Sequence, residues 1–174
     1  DMWGGYSDNS GSITVNWSVA AKAEPLVGGN EPVKKQLPDS WGNFYILDRN
    51  RPLTQNGEVK TWEIWAENTN PVQLMIYRPT GNSWAVVGKS DVKTPTVGFN
   101  EFSLPAPIPV QKGDCLGIYS PKAGIVSFSL DSGSYALGNL SGKVMFTQQG
   151  AGETAFSDSS NRTYAVRVKG NALG

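Results

Sequence analysis

The chain has 174 residues, with 15 Lys and Arg balancing 15 Asp and Glu, so its formal net charge is zero. No global field then draws it to nucleic acid or to an anionic membrane surface. It has no histidine, which excludes Ser-His and Cys-His nucleophiles, His-ligated metals and imidazole acid–base chemistry. The lone Cys115 makes neither an intrachain disulfide nor a CxxC site. This length suits one domain over residues 1–174, with a core that needs no staple.

Residues 1–5 do not read as a signal peptide, and no run approaches the ~20 apolar residues of a membrane span. Membrane insertion is therefore not expected, and an exported form would already have lost its leader. Sequons at Asn16, Asn139 and Asn161 occur at about the frequency chance allows and point weakly to an extracellular or secreted setting.

In chain order, the run Ser12 to Val19 alternates Ile13, Val15, Trp17 and Val19 with polar residues, the period of a half-buried strand. Ala20 to Gly42 has no clear period and contains Pro25, Gly28, Gly29, Pro32 and Pro38. Connections of that length are uncommon in compact domains and tend to be functional, although a crossover wrapping an edge is the plainer reading. Further strands are expected at Asn43 to Asp48, Val59 to Glu67, Val72 to Arg78, Ser83 to Gly88, Val97 to Leu104, Asp114 to Tyr119, Gly124 to Leu130, Lys143 to Thr147 and Arg162 to Lys169. Turn signals such as Asn56-Gly57, Gly81-Asn82, Gly113-Asp114 and Asp131-Ser132-Gly133 separate them. The pattern predicts an all-β, antiparallel two-sheet β-sandwich of jelly-roll type.

Phosphate loops and dinucleotide fingerprints are absent. Glu63 and Glu67 share a strand face, but their Cα atoms would stand about 13 Å apart, wider than the ~5 to 9.5 Å of a glycosidase pair. No catalytic role is therefore assigned. The aromatics say more. In Val59 to Glu67, alternation puts Lys60, Trp62, Ile64 and Ala66 on one face and Thr61, Glu63, Trp65 and Glu67 on the other, so Trp62 reads as core and Trp65 as outward. If Val72 to Arg78 pairs with it as a hairpin through Asn68 to Pro71, then Glu63, Trp65, Gln73, Met75 and Tyr77 share one outer surface. Trp41, Arg78 and Trp84 would join from the flanks. Such a surface suits sugars, whose C–H faces stack on rings while polar side chains bond the hydroxyls. The bland alternative is that Ala20 to Gly42 covers that face and makes Trp65 and Tyr77 satellite core.

Asp8 and Asn9 near the start and Asp158 and Asn161 near the end supply oxygens that would suit Ca²⁺ if first and last strands were neighbours. Ordinary Asx turns explain the same residues. Asp48 to Pro52 reads as a charged turn, facing a ligand or solvent. Pro105, Pro107 and Pro109 mark a rigid edge segment before the Asp114 strand, and Cys115 there reads as a small buried hydrophobe.

Trp62 and Trp65, then PVQLMIYRP at Pro71 to Pro79 and FSLPAPIPVQKGDCLGIYS at Phe102 to Ser120, together resemble repeated β-sandwich modules of secreted and cell-surface proteins. The resemblance spans about half the chain, and implies a jelly-roll, lectin-like fold without transferring any binding residue. The expected function is a non-catalytic extracellular recognition module that binds glycan through Trp65, Tyr77, Trp84, Trp41, Arg78, Glu63 and Gln73. The alternatives are a carrier of a small apolar ligand or pigment in an inter-sheet or subunit-interface cavity, and a structural or adhesive module forming a homo-oligomer. No cofactor beyond Ca²⁺ is implied.

Overall fold

A computed structural model of the chain describes residues 23–173. The predicted strand at Ser12 to Val19 lies outside them, as do Asp8 and Asn9. The described residues form eleven strands: β1 (Ala23–Gly29), β2 (Phe44–Asp48), β3 (Gly57–Ala66), β4 (Gln73–Thr80), β5 (Ser83–Lys89), β6 (Gly98–Val110), β7 (Cys115–Ser120), β8 (Phe128–Leu137), β9 (Val144–Thr147), β10 (Phe156–Tyr164) and β11 (Val166–Leu173). They make two antiparallel sheets, ordered β1-β11-β3-β6 and β5-β4-β7-β2-β9-β10-β8. The all-β sandwich is thus the fold, and no helix among the described residues is long and apolar enough to cross a membrane.

Alternation builds the core. Phe44 and Ile46 of β2, Trp62 and Ile64 of β3, Leu74 and Ile76 of β4, Ile118 of β7, Phe146 of β9 and Val168 of β11 meet between the sheets, all essentially inaccessible to solvent. One bulge adjusts the expected parity: Lys60 is the extra residue between Val59 and Thr61 against β11, so Val59 and Trp62 are both buried while Lys60 is exposed. Pro105 and Pro107 fall where β6, an edge strand, loops away from β3 between Ser103 and Ile108, so no ladder hydrogen bond is asked of them there.

The expected hairpin through Asn68 to Pro71 does not form. β3 lies in the smaller sheet and β4 in the larger, so the connection crosses between layers. The supposed outer surface is thereby divided between opposite sides of the sandwich. Two further expectations change. Asp158 to Asn161 is not a turn but the middle of β10, and Asp131-Ser132-Gly133 is not a turn but a bulge inside β8, with Gly133 at φ 69°.

The larger sheet carries a second cluster on its outer face, formed by Leu47, Met75, Tyr77, Cys115 and Met145. Among the described residues its cover is the segment before β10 with Phe156: the Tyr77 hydroxyl donates to the Glu153 carbonyl at 2.8 Å, Lys89 pairs with Glu153, and Phe156 meets Tyr77 edge-on. Burial, with Asp48 and Asp114 nearby, pushes the Cys115 thiol up to about 12. Native protein at pH 8 should therefore react with a thiol reagent on the order of 1000-fold more slowly than urea-unfolded protein, because the thiolate is the reactive form. Equal rates, followed by absorbance, would contradict this burial.

Candidate functional site

Among the described residues seven strands face four, and the mismatch creates the site. β6 at one edge of the smaller sheet packs near β5, and β1 at the other edge near β7, so β9, β10 and β8 project beyond the covering layer. Their inner face still carries large side chains, with Phe128 opposite Tyr164 and Leu137 opposite Asp158, the bulge in β8 shifting its phase between the two. The segment between β1 and β2 partly roofs this overhang: Leu37 bridges to Phe128, and Trp41 stacks on Phe44 with ring centroids 5.0 Å apart. Among the described residues, what remains open is a cleft of about 760 Å³.

Three rings, Trp41, Tyr135 and Phe146, line the cleft with Leu137, and the polar groups are Asp39, Ser40, Gln148, Ser157, Asp158 and Arg162. At its base the Arg162 guanidinium lies 4.3 Å from the Phe128 ring centroid and 4.9 Å from that of Phe146. Arg162 Nη1 donates to Asp39 Oδ1 at 2.8 Å and to the Tyr164 hydroxyl at 2.9 Å, and that hydroxyl donates to Asp39 Oδ2 at 2.8 Å. Burial raises the Asp39 carboxyl above the ordinary range, opposed by Tyr164 and Arg162. On the same strand as Arg162 and opposite Phe146, Asp158 is only 5% exposed. It accepts from the Tyr135 hydroxyl at 2.8 Å, from Ser157 Oγ at 3.1 Å and from the Gly138 N–H at 3.0 Å. Burial, then the bond to Asp158, pushes the Tyr135 phenol well above its usual value.

Of the described residues singled out in the sequence, Trp41 and Asp158 reach this cleft and the others do not. Glu63 and Trp65 lie together on β3, but Glu63 is buried and tied to Arg167 at 2.7 Å and Lys169 at 3.0 Å, while Trp65 is half-buried and pairs across strands with Phe99. Burial works to raise Glu63, yet Arg167 and Lys169 outweigh it and hold the carboxyl below its ordinary value. Gln73 donates to the Ser90 carbonyl, Tyr77 is fully buried, and half-buried Trp84 packs on the outer cluster. Arg78 grips Asp114 with two bonds of 2.9 Å. Asp114 is completely inaccessible, so Arg78→Ala should cost about 3 kcal/mol by leaving a buried charge without its cation. Urea unfolding checks this, and a loss below about 0.5 kcal/mol, typical of an exposed pair, would refute it.

Of the residues named for calcium, Asp8 and Asn9 lie outside the described residues, Asp158 faces the cleft, and Asn161 bonds Ser132 Oγ and the Lys143 N–H; among the described residues no group of three or more Asp, Glu, Cys or His could hold a metal ion. Tyr135, Phe146 and Arg162 were missed because β8, β9 and β10 bring them together across the sheet and no local spacing links them. No family model, no curated protein and no solved structure matches the chain.

Proposed function

We propose that this chain is a non-catalytic recognition module of an extracellular protein, and that it binds carbohydrate in the overhang cleft. The single observation that carries the reading is the pairing of aromatic walls with hydroxyl-bonding groups in one open cleft: Trp41, Tyr135 and Phe146 beside Gln148, Ser40, Ser157 and Asp158. Ring faces stack on the C–H faces of sugars, and amides, hydroxyls and carboxylates take their hydroxyls. Both carboxylates are already held, Asp39 by Arg162 and Tyr164 and Asp158 by three donors, which favours binding over acid–base chemistry. The strand order supports a jelly-roll connectivity, with β1-β11-β3-β6 facing β5-β4-β7-β2 and β8 to β10 inserted before the last strand. Leu137, 80% exposed at the rim, favours a second reading, a small apolar ligand in the same cleft.

Calorimetric titration against a panel of soluble oligosaccharides tests the reading. Trp41→Ala should weaken binding about tenfold, equivalent to ~1.4 kcal/mol, and Gln148→Ala should weaken it without touching the core. Trp65→Ala, on the far sheet, should leave it unchanged. Loss of binding in Trp65→Ala alone would sink this site, and an extractable chromophore would favour the apolar ligand.

A further inference from the structure

We propose that the ligand of the overhang cleft carries a positive charge beside Asp158, as the free ammonium of an amino sugar does. This rests on the carbohydrate reading and narrows it.

Among the described residues, the charged groups facing the cleft are Asp39, Arg162 and Asp158. Asp39 and Arg162 neutralise each other at 2.8 Å. Among the same residues, those that donate to Asp158 are neutral, the Tyr135 and Ser157 hydroxyls and the Gly138 N–H. One negative charge is left over, on a residue that is nearly buried. A carboxylate offers about four acceptor positions, so three donors leave room for one more, on the oxygen that Gly138 alone occupies. When a ligand fills the cleft and displaces water, that charge loses solvation unless the ligand brings a cation.

The walls favour the same sign. Aromatic faces attract cations, and Trp41, Tyr135 and Phe146 line the same cleft as Asp158. Arg162 shows the preference within the protein, lying 4.9 Å from Phe146 and 5.7 Å from Tyr135. An acidic sugar would bring its carboxylate against Asp158 and be disfavoured.

The test compares three oligosaccharides of matched length and linkage: glucosamine, N-acetylglucosamine and glucose oligomers, titrated at pH 6 into the wild type and Asp158→Asn. The wild type should bind the glucosamine oligomer at least tenfold more tightly than either neutral one. That preference should shrink between 50 and 500 mM salt and vanish in Asp158→Asn, whose folding is checked by thermal melting. Should the variant fail to fold, the salt dependence in the wild type decides instead. Equal or tighter Trp41-dependent binding of the neutral oligomers would overturn the charge preference and keep the carbohydrate reading. Binding of tetramethylammonium with no oligosaccharide bound would keep the charge preference and overturn the carbohydrate reading. Binding of neither would overturn both.

Discussion

Replacing Arg162 by Met should destabilise the protein by about 3–5 kcal/mol, the range for removing one partner of a buried ion pair. The guanidinium holds Asp39 and Tyr164 in one triangle of bonds and fills the space between Phe128 and Phe146. Met keeps much of the packing volume, so the loss reports chiefly the stranded Asp39 carboxylate. The deficit should depend on pH with a definite sign. Burial already raises Asp39, and Arg162 is among the groups that oppose the rise. Without Arg162 the folded-state value climbs further, so the folded variant takes up a proton at a pH where the unfolded chain has released it. Its stability is regained as pH falls through that raised value, and the deficit is largest above it. Urea unfolding at pH 4.5 and 7.5 measures both. The double variant Asp39→Asn/Arg162→Met should lose less than the sum of the single losses. Additive losses, or a deficit independent of pH, would show that the pair does not anchor the base of the cleft.

Trp62→Ala should cost a similar 3–5 kcal/mol, here through a cavity. Trp62 is wholly inaccessible and its ring centroid stands 4.8 Å from that of Phe102. Its indole N–H has no acceptor among the described residues, so the expected loss is that of packing. Trp65→Ala, on the half-buried face of the same strand, should cost much less. Thermal melting of the two variants makes the comparison, and equal losses would deny the difference in burial between the faces.

That contrast also shows what a period of two can and cannot reveal. Alternation identified the strand and the inward face of Trp62, because each side chain's face follows from its own position. It could not identify the neighbouring strand. Asn68 to Pro71 has the composition of a hairpin turn, yet the chain uses it to cross between sheets. A signal was present: Leu74, Met75, Ile76 and Tyr77 run apolar without a polar break, the mark of a strand covered on both faces. Such a strand cannot offer an open platform. β10 failed for the opposite reason. FSDSSNRTY has no apolar alternation, since its inner face holds Asp158, Ser160 and Arg162 in the overhang, so it reads as a turn. The cleft was hidden by the same chemistry that suits it to a polar ligand. Trp41 was legible as a binding aromatic, but as a flank to the Trp65 surface and not as the roof of this cleft.

Amide chemical shifts of ¹⁵N-labelled protein, followed while the tightest-binding oligosaccharide is titrated in, test the placement of the site most directly. The account predicts that the changes gather at Asp39 to Trp41, along β8, near Phe146 and Gln148, and from Ser157 to Arg162. Changes gathered around Trp65 and Phe99, or around Tyr45 and Tyr119 on the outer face of the larger sheet, would contradict it.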